Sequence, residues 1–334
     1  MKKEFLAILI ISCVLVITIG TNVKGVDSID VAAEKAANEF FGQGQPGVVC
    51  VSYSDNDTQL QVSVESSEFN SAVPPIYDGY PTVVTVDGII NAYDNDSNTS
   101  YSNDSIALVG YDSNISSPFY NRYDHWTTLV GGISFGGDNL GAGTLGNIDS
   151  SGNHYMLSCA HVIAIDDNYN FLPIGSPIFQ PSQLDGLPVQ VGTLSHYITI
   201  HFFIGWNYAD AAIATCTQAC SPHNILNSDN IHYYTVDFVE ANPHLHDYVR
   251  QSGRTSGVTF NTIRSTHSFA IVHYGNKWAL FRDLYTVNKP FANPGDSGAV
   301  VDNNGHFVGL VMAGNSQYNL VCRAHYIQSQ WHLQ

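Results

Sequence analysis

Basic charge is scarce in this sequence. Of 334 residues, 12 are Lys or Arg against 29 Asp or Glu, a formal net charge of −17 with histidine neutral. Nucleic-acid binding depends on clustered Lys and Arg that neutralise phosphates, and the chain supplies no such cluster. Long apolar runs are also missing, apart from Phe5 to Ile19 (FLAILIISCVLVITI), which at about 15 residues is short of the roughly 20 that a membrane span needs. Cysteine is sparse: Cys13, Cys50, Cys159, Cys216, Cys220 and Cys322. The last four could make two disulfides in an exported chain, with three connectivities that spacing does not rank. Cys216-Thr-Gln-Ala-Cys220 is too isolated for a zinc site, so structural thiols or a disulfide are expected there. No metal or cofactor is expected: His244-Leu245-His246 offers two imidazoles without a matched third ligand.

The remaining composition, 44% hydrophobic and 12% charged, is that of a globular chain with a sizeable core. The acidity is uneven. Residues 1–128 carry 5 Lys/Arg against 16 Asp/Glu, net −11, and residues 129–334 carry 7 against 13, net −6.

Lys2 and Lys3 ahead of the apolar run, with small and polar residues after it, read as an export signal over residues 1–26; an uncleaved anchor tethering the chain through residues 5–19 is the alternative. Localisation outside the cell or at its surface follows. From Asp27 to Phe41, Val31, Ala32, Ala36 and Phe40 recur near helical spacing behind a capping Asp27 or Ser28. Gly47 to Val51 and Leu60 to Val64 alternate as strands, and Pro81 to Ala92 gives a further strand or pair around Asp87-Gly88. Residues 27–93 are thus expected to be a small α+β module. Residues 94–128 follow as a linker, rich in Asn, Asp and Ser over 94–116. All five Asn-X-Ser/Thr sequons, at Asn56, Asn95, Asn98, Asn103 and Asn114, precede residue 117; glycosylation and the chance product of a biased composition are both open.

From about Leu129 short β-branched and aromatic runs recur between Gly and polar turns, with no long amphipathic helix until His325 to Leu333. That is the pattern of an all-β barrel or sandwich. Near its end lies Asn293-Pro294-Gly295-Asp296-Ser297-Gly298-Ala299-Val300-Val301, a serine held between glycines and released into an apolar strand. Such a turn presents a hydroxyl beside backbone N–H groups, though Gly-Asp-Ser-Gly also occurs as an ordinary turn. Upstream, His161 follows the apolar strand Tyr155 to Ser158 in LSCAHV, and Asp210 leads the small apolar strand of NYADAAIA. Either residue alone has a bland explanation, as one of 14 histidines or as a turn-capping Asp. Together, in the order His, Asp, Ser, they form a candidate base, orienter and nucleophile.

On these motifs the chain resembles the chymotrypsin-like serine peptidases, in which that order is diagnostic among triad enzymes. Val249-Arg250-Gln251-Ser252-Gly253-Arg254-Thr255-Ser256-Gly257 is similar to the SGRTTG segment of exported bacterial members such as streptogrisins and α-lytic protease. The hairpin ending Val308-Gly309-Leu310-Val311-Met312-Ala313-Gly314 resembles the family's substrate-binding strand. The resemblance covers roughly residues 129–334. It implies a two-barrel all-β peptidase domain behind the α+β module, a polypeptide substrate, and catalysis by Ser297, His161 and Asp210 with the Gly295 and Ser297 amides as oxyanion hole. Met312, Ala313 and Gly314 would pair with substrate. It also implies that residues 27–93 are a pro-region, with a retained accessory domain as the alternative.

There are departures from the family's pattern. Cys159 precedes His161 by two residues where the family commonly has a cysteine following it. The position six before the serine, the pocket base in trypsin-type members, is Phe291, which leaves Lys/Arg selectivity unsupported and suggests an apolar or small pocket. Leu129-Val130-Gly131-Gly132 resembles the family's mature N-terminus, whose freed amine would be received by Asp296, although no basic residue precedes Leu129. A catalytically silent barrel that binds polypeptide at the cell surface is the competing function; the intact His, Asp and Ser argue against it, since a binder has no physical need of all three.

Overall fold

A computed structural model describes residues 27–42, 47–93, 121–138 and 141–334. The apolar N-terminal run, Cys13, most of the expected linker, and the sequons at Asn95, Asn98, Asn103 and Asn114 lie outside the described residues. Among the described residues no helix is long and apolar enough to cross a membrane.

Residues 129–334 form two closed ladders of strands. In the second, the strands Tyr248–Gly253, Gly257–Tyr274, Lys277–Asn288, Tyr318–Arg323, His306–Gly314 and Val300–Asn303 pair antiparallel in that order. The last then pairs with the first, Arg250 opposite Asp302, so the ring closes without free edges. Local sequence supports the turns: Asn304 (φ +54°) and Gly305 (φ +86°) both adopt the left-handed region that a two-residue hairpin turn requires.

In the first ladder, Pro177–Gln180, Val189–Tyr197, Ala212–Cys216, Tyr155–Ser158 and Asn147–Ile148 pair in that order. It closes because Gly143–Thr144, just ahead of Asn147, pairs with Ser134–Phe135, and Gly136 bridges back to Phe179. Ile148, Met156, Ala214 and Leu194, opposite one another in register, share one buried face of this ladder. These two rings have the all-β character expected from the strand-rich sequence and the two-barrel arrangement that the resemblance implied.

The N-terminal segment supplies the helix Ile29–Gly42 and the strands Val48–Tyr53, Leu60–Val64 and Tyr80–Val86. Ala32, Ala33, Ala36, Ala37 and Phe40 form the buried face of the helix, while Val31 is turned outward. The expected boundary at residue 93 divides the chain in sequence, yet the sheet runs across it. Val48–Tyr53 pairs antiparallel with barrel strand Gly257–Tyr274, Cys50 opposite Ala270 and Tyr53 opposite His267. Asn91–Ala92 pairs with the end of His306–Gly314.

All five described cysteines are free thiols, so the two disulfides possible from the sequence are not formed in this structure. Cys159 and Cys322 are fully buried and donate instead to carbonyls, Cys159 Sγ to Val311 O at 3.2 Å and Cys322 Sγ to Leu310 O at 3.7 Å.

Candidate active site

His161 sits in the four-residue helix Ala160–Ile163, entered directly from strand Tyr155–Ser158. Asp210 lies two residues ahead of strand Ala212–Cys216, which pairs with Tyr155–Ser158 with Ser158 opposite Ala212. This register brings the two side chains together: His161 Nδ1 is 2.5 Å from Asp210 Oδ2, and the His161 backbone N–H donates to Asp210 Oδ1 at 3.1 Å. The Tyr274 hydroxyl, from the second barrel, donates to Asp210 Oδ2 at 3.0 Å. Asp210 has no solvent exposure. A carboxylate so buried is stable only when its oxygens are hydrogen-bonded, and here three donors converge on it.

Ser297 lies on the facing wall, in the loop before strand Val300–Asn303. Its Oγ donates to Met312 O at 3.4 Å. The loop is tied to the first barrel by Thr144 N–H to Ser297 O at 2.8 Å, and to the second by Gly298 N–H to Val311 O at 2.9 Å. Gly298 has φ +88°, and a Cβ there would stand 2.1 Å from Ser158 Oγ and 3.1 Å from the Cys159 nitrogen. Only glycine lets the serine loop close onto the residues that lead into His161. The Ser297 loop thus packs on the residues that lead into His161, at the seam between the barrels. Gly295 (φ +95°) turns the chain ahead of the serine, and among the described residues neither the Gly295 nor the Ser297 amide has an acceptor.

In the uncleaved chain Asp296, the expected receiver of a freed Leu129 amine, is held by backbone donors. Its Oδ1 accepts the Thr255 and Ser256 N–H groups at 2.9 and 3.0 Å, and its Oδ2 accepts Asn293 N–H at 2.8 Å. Burial pushes this carboxyl above its usual value against those bonds, which pull it down. Its partners in the uncleaved chain are thus Thr255 and Ser256, together with Asn293. Leu129 is instead internal to the buried strand Leu129–Gly131, its own N–H donating to Ala219 O at 2.9 Å. Arg254 is held by a bidentate pair to Asp185, with both N–O distances 2.8 Å.

Cys159, His161 and Asp210 each bring one donor atom within 4.8 Å of the others. Their chemistry does not suit a cation. Burial pushes the Cys159 thiol well above its usual value, and the Asp210 oxygens are already committed to N–H and O–H donors.

The expected substrate-side residues are also in one place, but the chain occupies them itself. Ala313 and Gly314 pair with Ala92 and Asn91, and Tyr93 N–H donates to Met312 O at 3.4 Å. Phe291 is buried in an apolar cluster that includes Tyr93 and Ala292. Sequence reading missed Tyr93, Asn319 and Tyr274. Only the short spacing between the Asp87-Gly88 turn and Tyr93 could have flagged the first, and nothing local marks the other two.

No protein-family model matches the chain, and no curated protein matches it. Among solved structures it is similar to Nocardiopsis protease (17% identity over 62% of this chain and 98% of that one, TM-score 0.46). It is also similar to Thermobifida fusca protease A (16%, 62% and 97%, TM-score 0.45) and to an α-lytic protease homologue, N4 (16%, 62% and 98%, TM-score 0.45). Likeness of this degree says nothing of activity, and the chemistry has to come from the chain's own residues.

Proposed function

We propose that residues 129–334 are a serine endopeptidase in which Ser297 is the nucleophile, His161 the base and Asp210 its orienter. The observation that carries this reading is the 2.5 Å contact between His161 Nδ1 and a wholly buried Asp210, at the seam where the Ser297 loop closes. Nδ1–H donating to a carboxylate fixes the tautomer whose Nε2 lone pair is the base, and the buried charge stabilises the imidazolium once it has taken the serine proton. The attacked carbonyl oxygen becomes an oxyanion in the transition state, and the Gly295 and Ser297 amides receive it in this reading. Collapse of the tetrahedral adduct passes the proton to the leaving amine, and water then hydrolyses the acyl-serine by the same path in reverse.

The N-terminal apolar run supports export, and residues 27–93 act as a pro-region docked on the second barrel. Fluorophosphonate labelling of the folded chain tests the peptidase reading. Labelling at Ser297, lost in Ser297→Ala, is expected, and a folded chain that never labels would favour a silent binding barrel instead.

A further inference from the structure

We propose that Thr255 is a positioning residue: its hydroxyl, aimed by Arg254, holds the Pro294–Gly295 peptide in the orientation that leaves the Gly295 N–H for an oxyanion. This rests on the peptidase reading above and names what sets one of its two donors.

The turn comes first. Asp296 N–H donates to Asn293 O at 3.0 Å, closing a four-residue turn with Pro294 and Gly295 at its centre. Gly295 has φ +95°. Proline at the second position and a positive φ at the third make this a type II turn. Its type I counterpart has φ near −90° at the third position and differs chiefly by a rotation of the central peptide through roughly 150°. Glycine adopts either sign of φ, so Gly295 by itself does not choose between the two. Across a trans peptide C=O and N–H point in opposite directions, so whatever holds Pro294 O also aims Gly295 N–H.

Thr255 holds that oxygen. Its Oγ1 donates to Pro294 O at 2.9 Å and accepts from Arg254 Nη1 at 3.1 Å. A hydroxyl has one hydrogen, and a guanidinium only donates, so the hydrogen is left for Pro294 O. Gly295 N–H is thereby turned away from Thr255, and among the described residues it has no acceptor. Rotating the peptide would break the Thr255 bond and carry this N–H toward the guanidinium. Arg254 stands close there: a Cβ on Gly295 would lie 2.0 Å from Arg254 Nη1 and 2.4 Å from Thr255 Oγ1. A fixed positive charge favours a carbonyl oxygen facing it over an N–H.

Arg254 is itself fixed. Asp185 accepts its Nε and Nη2 at 2.8 Å each, and Ser134 Oγ and Ser182 Oγ donate to the same carboxylate at 2.6 and 3.0 Å. Nη1 is the nitrogen left to reach Thr255. The Arg254 backbone N–H donates to Thr144 Oγ1 at 3.0 Å, and that hydroxyl donates to Gly295 O at 3.0 Å. The peptides on both sides of Gly295 are therefore each held by a threonine hydroxyl that Arg254 orients. The second donor is set separately. Ser297 N–H belongs to the peptide whose carbonyl, Asp296 O, accepts Ala299 N–H at 2.9 Å. Thr255 thus governs one donor without the other.

Rates of fluorophosphonate labelling of the full chain test this, because the phosphoryl oxygen takes the place of the oxyanion as Ser297 is phosphorylated. Thr255 is exposed, so Thr255→Val and Thr255→Ala leave the core intact. Both are expected to label about 10-fold more slowly than wild type, inside the roughly 100- to 1000-fold that outright loss of an oxyanion donor costs. Thr255→Ser keeps the hydroxyl and is expected to label within about 2-fold of wild type. The urea midpoint and the pH midpoint of labelling, which reports the base, should not move in any of the three. Wild-type rates in Thr255→Val and Thr255→Ala, or a Thr255→Ser chain as slow as they are, overturn the inference and leave the peptidase standing. A slowed variant whose pH midpoint has shifted overturns it as well, since the base is then disturbed. A folded wild-type chain that never labels overturns both.

Discussion

The second barrel receives the N-terminal segment in two places, and the two contacts differ in kind. Along strand Gly257–Tyr274, Val48–Tyr53 pairs through four consecutive positions, from Cys50 opposite Ala270 to Tyr53 opposite His267. Behind that ladder Phe40, Val51 and Leu60 pack with Phe269 of the barrel, Trp206 Nε1 donates to Asn38 at 3.1 Å, and Arg282 pairs with Glu34 at 2.7 Å. At the end of His306–Gly314, only Asn91 and Ala92 pair, and a single side chain enters a pocket. The first contact spreads its stabilisation over a continuous apolar core and is an anchor. The second concentrates it in Tyr93, whose hydroxyl bonds Ala292 O and the Asn319 amide.

Removing the chemistry without touching either contact is the most severe way to separate them. Asp210→Asn should lower kcat by about 10⁴-fold, because the neutral amide favours the wrong imidazole tautomer. Both contacts should stay in place. A near wild-type kcat on a peptide substrate would remove Asp210 from its assigned role.

Breaking the anchor is the next largest effect. Phe40→Ala empties a buried ring site and should cost about 3–5 kcal/mol of the stability of the N-terminal segment, read by urea unfolding of the uncut Ser297→Ala chain. A loss under about 1 kcal/mol would mean that the apolar cluster does not hold the segment.

Acid should loosen the same contact. Burial alone would raise the Asp283 carboxyl, but hydrogen bonds from His267 and Tyr326 and the Arg323 guanidinium bring it down to about 2. His267 stacks on Tyr53 of the anchoring strand, ring centroids 4.9 Å apart. A depressed carboxyl stabilises the folded state above its unfolded pKa near 4, and that contribution, roughly 2 kcal/mol, is lost as pH falls through the folded value. Urea midpoints for Asp283→Asn should therefore fall less than those of the parent between about pH 4 and 2. Parallel curves would refute the pairing.

The smallest effect concerns the support of Asp210 from the second barrel. Tyr274→Phe removes one of three donors and should lower kcat by about 5-fold, with KM little changed, since one hydrogen bond to a charged group contributes on the order of 1 kcal/mol. A change confined to KM would place Tyr274 in binding instead.

Much of the site was legible because its parts are local. The strand before His161, the strand after Asp210 and the glycines around Ser297 are short-range patterns that survive without knowledge of partners. The strand at Leu60–Val64 was legible for the same reason: alternation and turn residues are written along the chain. The fate of Asp296 was not, since its partners Thr255 and Ser256 lie about 40 residues away and donate backbone N–H groups that no sequence pattern marks. Nor was the state of the cysteines: Cys159 and Cys322 look like disulfide candidates in sequence, and only burial against carbonyls shows them as thiols.

By itself the sequence determined the all-β character of residues 129–334 and the candidates for base, orienter and nucleophile, because periodicity, turn chemistry and side-chain chemistry are properties of short segments. The tertiary structure alone decided that Asp210 is reached by Tyr274 from the opposite ring, and that Asn91 and Ala92 pair with the end of His306–Gly314. Those facts depend on pairings between residues tens to hundreds of positions apart, where hydrogen-bond register and excluded volume, not local preference, select the partner.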